Sequence, residues 1–479
     1  MRGILYLVLE HPSHSSLTSM ALKQPLGAAD VAWLRMESSV NPMTITGILG
    51  FSEPMTLDEL KQILEERLLI FARFRQRVVY EGGTAVWKED PHFDLDAHVH
   101  RIGLNEPDTK ASLEELVSDL MSTPLDLAKP PWQFHLIERY DGGSVLVGRL
   151  HHCIGDGIAL IQVLISLADE EFDPSRATPS YGEDSSKGSL MGRLLKPVGK
   201  AVTQVGKTAG TLAAGSFDLV QKPGKAFEWA KQSMSVGAAM SKIALMASDS
   251  DTRFKAPAGV MKRAAWSQPT PLDRVKSVGR GLDAKVNDVL LATLAGSLRR
   301  YFEAHDEPTD GVEVRVAIPV NLRPLERAFD LGNQFGLVFL ALPVGVADAR
   351  ERLLEVKRRM DQIKSSAEPG VVFGILQAIG AGPELMHQQV VEILGAKTSG
   401  VVTNVPGPSQ RLHFLGNPIR RLMFWVPRAG DVGLGVSIIS YADEVLVGVA
   451  TDAKMVPDPG ALVEGFHAEL DALLDEFGA

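Results

Sequence analysis

Cysteine is almost absent from this chain, which has one, Cys153, among its 479 residues. A single cysteine excludes an internal disulfide bond and a zinc site made from several thiolates, so nothing requires an oxidising compartment. Long apolar runs are missing too, since no stretch approaches the ~18 residues of a membrane-spanning helix. The apolar run at residues 4–9 is shorter than the roughly 7–15 residues of a signal-peptide core. These absences predict a cytoplasmic protein that meets membranes only at their surface.

The composition is typical of a globular protein, with 45% apolar and 23% charged residues. The chain is longer than the roughly 250 residues at which a single hydrophobic core stops growing. Met20 precedes the first well-patterned segment, so residues 1–20 are interpreted either as an N-terminal extension or as the result of a start codon placed too early. Two lobes are predicted after it, an N-terminal lobe at 21–183 and a C-terminal lobe at 261–479.

A basic crossover at 184–260 separates the two predicted lobes. The net charge of the chain is −10, but residues 187–255 contain eleven Lys and Arg against four Asp and Glu, a net charge of +7. Apolar side chains are interleaved with these lysines, among them Leu190, Leu194, Leu195, Val198, Phe217, Leu219, Phe227 and Trp229. Such a segment favours an anionic membrane or lipid-droplet surface over nucleic acid. The alternative is a solvated linker whose apolar residues dock on a lobe.

Both predicted lobes alternate strands with helices, which predicts an α/β fold. In the N-terminal lobe the predicted strands are 44–51 and 144–151. The predicted helices there are 57–69, after a cap at Thr56, and 112–121, after a cap within 110–112. In the C-terminal lobe the predicted strands are 314–319, 337–342, 400–404, 432–440 and 445–452, and the predicted helices are 287–304 and 347–365.

The segment His151-His152-Cys153-Ile154-Gly155-Asp156-Gly157 ends the second predicted strand. Side chains alternate along a strand, so the two histidines point to opposite faces. This weighs against a metal site built from the pair, and no metal is predicted. The two glycines allow a tight turn around Asp156, and residues 158–167 are predicted to form a helix after it. One histidine is thereby held at a cleft.

One of the two histidines could act as a general base, because a neutral imidazole with a pKa near ~6.5 can take a proton from an alcohol at neutral pH. The alcohol oxygen then becomes a nucleophile toward a thioester. Asp156 could orient the ring, as the acid of a catalytic triad does, or it could tie the turn to an arginine. Cys153 lies on the His151 face and lacks a Gly-rich nucleophile turn, so it is interpreted as structural.

Further motifs follow one another along the chain: Asn41-Pro42-Met43, Phe93-Asp94-Leu95-Asp96 with His98-Val99, Pro130-Pro131-Trp132, Val286-Asn287-Asp288-Val289, Pro319-Val320-Asn321-Leu322-Arg323-Pro324, Gly332-Asn333-Gln334-Phe335 and Thr403-Asn404-Val405-Pro406-Gly407-Pro408. With the His151 to Gly157 segment, they resemble the bacterial wax ester synthase/diacylglycerol acyltransferase (WS/DGAT) family. This family belongs to the CoA-dependent acyltransferase superfamily, whose signature is HHxxxDG. The resemblance runs from about residue 26 to residue 459. The family usually has Pro-Leu-Trp at 130–132 and Ser at Thr403, and the first departure bears on the substrate channel.

The resemblance implies two chloramphenicol-acetyltransferase-like α/β lobes, with an active-site tunnel at their interface and His152 in its middle. It implies acyl-CoA as co-substrate, no bound cofactor, and transfer of a long acyl chain to a fatty alcohol or diacylglycerol without an acyl-enzyme. The implied catalytic residues are His152 and Asp156. The implied supporting or substrate-binding residues are His151, Gly157, Asn287, Asp288 and Asn404. From the residues alone, the two asparagines fit helix capping and turn formation equally well.

Other functions remain open at this stage. Enzymes that acylate smaller alcohols and peptide-forming condensation domains share the HHxxxDG signature. A lipid-droplet binding protein that kept the fold without catalysis is the alternative from another class, and the intact His152 and Asp156 argue against it.

Overall fold

A computed structural model describes residues 24–169, 245–323, 331–363, 368–381 and 391–478. The predicted extension at 1–20 lies outside the described residues, as does the crossover up to residue 244. Within the described residues, no helix is both long enough and apolar enough to cross a membrane.

The strands are β1 (Gln24–Pro25), β2 (Thr44–Phe51), β3 (Gln76–Glu81), β4 (Thr84–Glu89), β5 (Val99–Arg101), β6 (Trp132–Tyr140), β7 (Gly143–His151), β8 (Lys262–Trp266), β9 (Thr270–Pro271), β10 (Val314–Asn321), β11 (Phe335–Leu342), β12 (Gly400–Pro406), β13 (His413–Phe414), β14 (Asn417–Trp425), β15 (Leu434–Tyr441) and β16 (Glu444–Asp452). The α-helices are α1 (Ala28–Met36), α2 (Leu57–Ile63), α3 (Lys110–Ser122), α4 (Gly157–Leu167), α5 (Leu272–Gly281), α6 (Val286–Glu303), α7 (Ala349–Ile363), α8 (Glu368–Ala381) and α9 (Pro459–Phe477).

Two large sheets organise these elements. The first has the order β13-β14-β2-β7-β6-β5. The second has the order β11-β10-β12-β15-β16-β8, with β9 pairing on β16. One apolar core lies between the first sheet and helices α2 and α4, and another lies between the second sheet and helices α5, α6 and α9. The α/β class predicted from the alternation of elements is confirmed.

Strands are exchanged between the two predicted lobe ranges, so neither range keeps to a single sheet. Strand β14, from the C-terminal range, pairs antiparallel with β2 in the first sheet, from Trp425 opposite Thr46 to Ile419 opposite Phe51. This pairing occupies the backbone N–H and C=O groups of β2 that would otherwise form an open edge of the sheet. In the other direction, the backbone N–H of Ala264 in β8 donates to Ser118 of α3 at 2.9 Å.

The predicted helices are all present with shifted boundaries, most clearly at two places. The predicted helix 57–69 is α-helical only to Ile63 and continues as a π-helical turn, Leu64–Leu68. Its predicted cap is confirmed, since Thr56 and Glu59 form a capping box. Helix α3 begins at Lys110 rather than at 112, because the Thr109 side chain accepts a hydrogen bond from the backbone N–H of Ser112 and caps the helix two residues earlier.

Candidate active site

His152 follows directly after strand β7 and is held by backbone hydrogen bonds on both sides. Its N–H donates to the carbonyl oxygen of Met43 at 2.7 Å. Its carbonyl oxygen accepts from the side-chain amide of Asn333 at 2.7 Å. Met43 leads into β2, whereas Asn333 comes from the C-terminal half of the chain. The histidine backbone is therefore fixed where the two halves meet.

The imidazole of His152 lies in an aromatic environment. The indole of Trp33 stacks on it, with ring centroids 3.9 Å apart and planes inclined by 16°. Phe335 lies on another side, 5.8 Å away between centroids. Burial lowers the pKa of His152 to about 3, and the neighbouring His151 acts in the same direction. The ring is therefore neutral at physiological pH, which is the state that a general base needs.

The ring of His151 contacts a different set of groups, a backbone N–H and a carboxylate. Its Nδ1 accepts the backbone N–H of Cys153 at 3.1 Å. Its Nε2 lies 3.4 Å from a carboxylate oxygen of Glu37, and the same oxygen accepts the backbone N–H of Met43. Cys153 is fully buried, and burial raises the pKa of its thiol well above the usual value. A thiol in that state is a poor nucleophile.

Asp156 holds the turn after His152 through four hydrogen bonds. Both carboxylate oxygens meet the guanidinium of Arg323, at 3.2 and 2.9 Å. The carboxylate also accepts the backbone N–H of Gln334 at 3.0 Å and that of Ala159 at 3.0 Å. The last bond caps helix α4, whose first residue is Gly157. In the described chain no hydrogen bond joins Asp156 to the His152 ring, so the geometry favours a positioning role.

A segment of the C-terminal half, residues 332–334, docks on this turn. Gly332 donates to the carbonyl oxygen of Ile154 at 3.1 Å and accepts from the N–H of Asp156 at 3.2 Å. Its φ of 112° is in the region that favours glycine. Asn333 donates twice to one carboxylate oxygen of Asp30 in α1, both at 2.9 Å. This segment thus joins α1 and the turn after β7.

The structure brings Asn287 and Asn404 together, at the start of α6 and within β12. The side-chain amide of Asn404 donates to the side-chain oxygen of Asn287 at 2.8 Å. Asp288 is buried and accepts the backbone N–H of Lys285 at 3.0 Å, which makes it a capping residue of α6. Among the described residues, no hydrogen bond links this pair of asparagines to His152.

An apolar pocket with a volume of about 110 Å³ lies beside the turn. On β7 it is lined by Leu146, Gly148 and Leu150, which share the sheet face toward which alternation directs His152. Helix α4 forms the opposite wall, from Gly157 to Leu167. With these linings the pocket can take an alkyl chain.

Sequence reasoning assigned no role to four residues that contact the site. Arg323 and Asn333 stand in motifs that it quoted, whereas Asp30 and Trp33 were not singled out. The signal for the last two was their spacing, since residues three apart share one helix face. No group of three or more His, Cys, Asp or Glu side chains able to hold a metal occurs in the part of the chain that the structure describes.

Comparisons with known proteins agree with this architecture. The family model of the wax ester synthase/diacylglycerol acyltransferase catalytic domain matches residues 26–290, and the model of the WS/DGAT C-terminal domain matches residues 331–474. A probable diacylglycerol O-acyltransferase of Mycobacterium tuberculosis is 30% identical over 414 residues, covering 84% of this chain and 85% of that protein. A putative diacylglycerol O-acyltransferase of the same species is 29% identical over 464 residues, covering 89% of each.

Two solved structures are similar in fold. The wax ester synthase/diacylglycerol acyltransferase from Marinobacter aquaeolei VT8 matches with a TM-score of 0.64 and 22% identity, covering 95% of this chain and all of that one. The first condensation domain of the CDA synthetase matches with a TM-score of 0.59 and 16% identity, covering 96% and 97%. These likenesses confirm the predicted two-lobed α/β fold. Since the catalytic-domain model spans more than half of its length, the chain belongs to the wax ester synthase/diacylglycerol acyltransferase family.

Proposed function

We propose that this protein transfers a long acyl chain from acyl-CoA to the hydroxyl group of a fatty alcohol or a diacylglycerol, with His152 as general base. One observation carries the proposal: a buried, neutral imidazole stands at the junction of the two halves, in the turn that leads into helix α4, and that helix lines an apolar pocket. Alkyl substrates gain about 0.8 kcal/mol for each methylene group that leaves water, which favours long chains in such a pocket.

The reaction is a direct transfer between two substrates. His152 takes the proton of the hydroxyl group while the alcohol oxygen forms a bond to the thioester carbonyl carbon. The carbon–sulfur bond then breaks, and the coenzyme A sulfur leaves with the proton returned by the imidazolium. No acyl-enzyme is required, because the alcohol attacks the thioester directly. The single thiol of the chain, that of Cys153, is also poorly suited to carry an acyl group, since burial raises its pKa.

The low pKa of His152 in the free protein is compatible with this role. A base with a pKa of about 3 is fully available at neutral pH, although it is intrinsically weak. Charge that develops on the oxyanion lies close to the ring, and in a site without water such a charge raises the proton affinity of the imidazole strongly. Proton transfer is therefore favoured in the transition state rather than before it.

The neighbouring groups set the geometry of the base. Asp156 and Arg323 fix the turn, and Asn333 fixes the His152 carbonyl. The Asn287–Asn404 pair lies in the C-terminal half, and we assign it to binding substrate polar groups, in keeping with the sequence-based expectation. The basic crossover would bring the enzyme to anionic membrane or droplet surfaces in the cytoplasm.

One assay tests the function directly. The purified full chain is incubated with labelled palmitoyl-CoA and with hexadecanol or dioleoylglycerol, and labelled wax ester or triacylglycerol is measured together with free coenzyme A. Product with at least one acceptor is expected, in a one-to-one ratio with coenzyme A. If product forms only with short alcohols, the proposal of a lipid acceptor is wrong and the enzyme acylates smaller alcohols. Acyl-CoA binding without any turnover would point to the non-catalytic alternative.

A further inference from the structure

Helix α1 holds an aromatic side chain against the proposed base. Asp30 anchors the helix through its two hydrogen bonds from Asn333, and the same Asn333 amide bonds the His152 carbonyl. One turn further along, Trp33 stacks on the imidazole with nearly parallel planes. Because the anchor is shared, the position of the indole relative to His152 is fixed by the backbone rather than by ring contact alone.

The indole N–H of Trp33 is buried and has no hydrogen-bond partner among the described residues. Buried tryptophan N–H groups usually find a partner, so each exception needs an explanation. Trp87, Trp266 and Trp425 share this property. What distinguishes Trp33 is its place against the His152 ring, where substrate oxygen atoms must come if His152 is the base.

The stacking geometry selects which substrate atom the N–H can meet. The hydroxyl group approaches His152 in the plane of the imidazole, because it must line up with a ring nitrogen. The new bond to the thioester carbonyl carbon forms at an angle to that O–H bond, so the carbonyl oxygen can project out of the imidazole plane. The indole of Trp33 is stacked on the imidazole with ring centroids 3.9 Å apart, so its N–H also lies out of the imidazole plane.

We infer that the Trp33 indole N–H donates a hydrogen bond to the thioester carbonyl oxygen and to the oxyanion that forms from it. The inference rests on the proposed function, with His152 as base. Trp33 keeps its proton throughout, so the proton balance of the transfer is unchanged. In this role Trp33 is a catalytic residue that stabilises negative charge, and Phe335 contributes only an apolar face.

Two replacements separate the N–H from the ring. Trp33→Phe keeps an aromatic face, and incorporation of 3-benzothienylalanine at position 33 keeps the whole bicyclic shape while sulfur takes the place of the N–H group. Trp266→Phe is the matched control, because it removes another buried indole N–H that has no partner among the described residues, on a ring that packs against Trp425. Each purified protein is assayed for coenzyme A release with palmitoyl-CoA and both acceptors, and its melting temperature is recorded.

The expected result is a fall in kcat of about 100-fold for both replacements at position 33, the usual effect of losing one oxyanion donor. KM for palmitoyl-CoA should stay within about twofold, and the loss should be equal for both acceptors since the thioester is common to them. Trp266→Phe should keep wild-type kcat.

Three outcomes would overturn the inference. They are near wild-type kcat for the benzothienyl protein, a loss confined to one acceptor, and an equal loss in the Trp266→Phe control. His152→Ala is run alongside to separate the two proposals. An inactive His152→Ala with an active benzothienyl protein removes only the role of Trp33, whereas an active His152→Ala removes the base itself.

Discussion

Removing the imidazole of His152 should cost the reaction far more than changing either neighbour. Loss of a general base typically lowers the rate ~100- to 10,000-fold, so His152→Ala should nearly abolish transfer while the protein stays folded. Cys153→Ser should stay within about threefold of wild type if no thioester to the enzyme forms. His151→Ala should act mainly through stability, because its ring bonds the backbone of the turn.

The measurement is coenzyme A release at saturating alcohol by variants whose melting curves show that they are folded. A His152→Ala enzyme within about threefold of wild type, far inside the range for loss of a base, would rule out the mechanism. A folded but inactive Cys153→Ser would instead indicate a covalent thiol route.

The pH dependence follows from the lowered pKa of His152. The base is active when unprotonated, and a folded-state pKa of about 3 keeps it so at mildly acidic pH. Between pH 8 and pH 5.5, kcat/KM should therefore change less than about twofold, whereas a histidine of ordinary pKa near 6.5 would lose about tenfold. An acid limb near pH 6.5 would contradict the buried environment.

Stability sets the lower end of that pH range. The pKa of His135 is also lowered by burial, to about 4. As the pH falls below about 6.5, His135 and His152 bind protons in the unfolded chain but stay neutral in the folded protein. The folded state therefore loses stability progressively until the pH reaches their folded pKa values. The folded fraction is therefore checked by near-UV circular dichroism at each pH.

At the residue scale, the prediction of a candidate base at His152 rests on local evidence, because strand alternation and a glycine-flanked turn are both visible within seven residues. Its partners were not identifiable in the same way. Asn333 is 181 positions from His152 in the chain, and Arg323 is 167 positions from Asp156. Contacts between residues so far apart in the chain depend on how the two halves dock. The periodicity of apolar residues in the sequence carries no information on that docking.

Among the elements, the turn between β7 and α4 depends most on one side chain, Asp156. In Asp156→Asn the amide cannot balance the buried charge of Arg323, and breaking a buried ion pair by removing one partner typically costs about 3–5 kcal/mol. We expect a lower melting temperature, a lower folded yield and a lower rate. Asp169→Asn is the control, because it breaks a more exposed pair with Arg67 worth about 0–1 kcal/mol.

Two outcomes of that comparison are informative. An Asp156→Asn protein with wild-type melting and normal turnover would remove Asp156 from both the structural and the catalytic role. A protein with wild-type melting but greatly reduced turnover would restore the triad interpretation, in which the carboxylate acts on the base.

Element prediction succeeded where the pattern is local. Strand β2 matches its predicted range at both ends, because alternating apolar residues sit between clear turn signals. Strand β14 was not predicted, and its membership of the first sheet is set by the open edge of β2 rather than by its own sequence. The cap of α3 was misplaced because Thr109 and Ser112 are both good capping residues, and only the geometry selects Thr109.

At the scale of the whole molecule, the chain carries a net negative charge but contains one strongly basic segment. The net charge is −10, so an anionic membrane should repel the protein unless a basic segment faces it. Residues 187–255 carry +7 and include scattered leucines and aromatic residues. Each lysine or arginine near an anionic surface contributes about 1 kcal/mol, and the attraction is screened over a Debye length of about 10 Å at 0.1 M salt.

We therefore expect the full chain to float with anionic liposomes at low salt, less at 0.5 M salt, and little with neutral liposomes. Replacing Lys196, Lys200 and Lys207 together by glutamine should weaken binding by about 3 kcal/mol, or roughly 100-fold. The control replaces three exposed lysines of the lobes, at positions 88, 129 and 454, which should bind like wild type. Equal flotation with neutral and anionic liposomes, or unchanged binding by the crossover variant, would assign the basic segment to docking on a lobe instead.

Activity on dissolved short-chain substrates should stay the same in both triple variants, because the crossover acts on access to the lipid and not on the chemistry at His152.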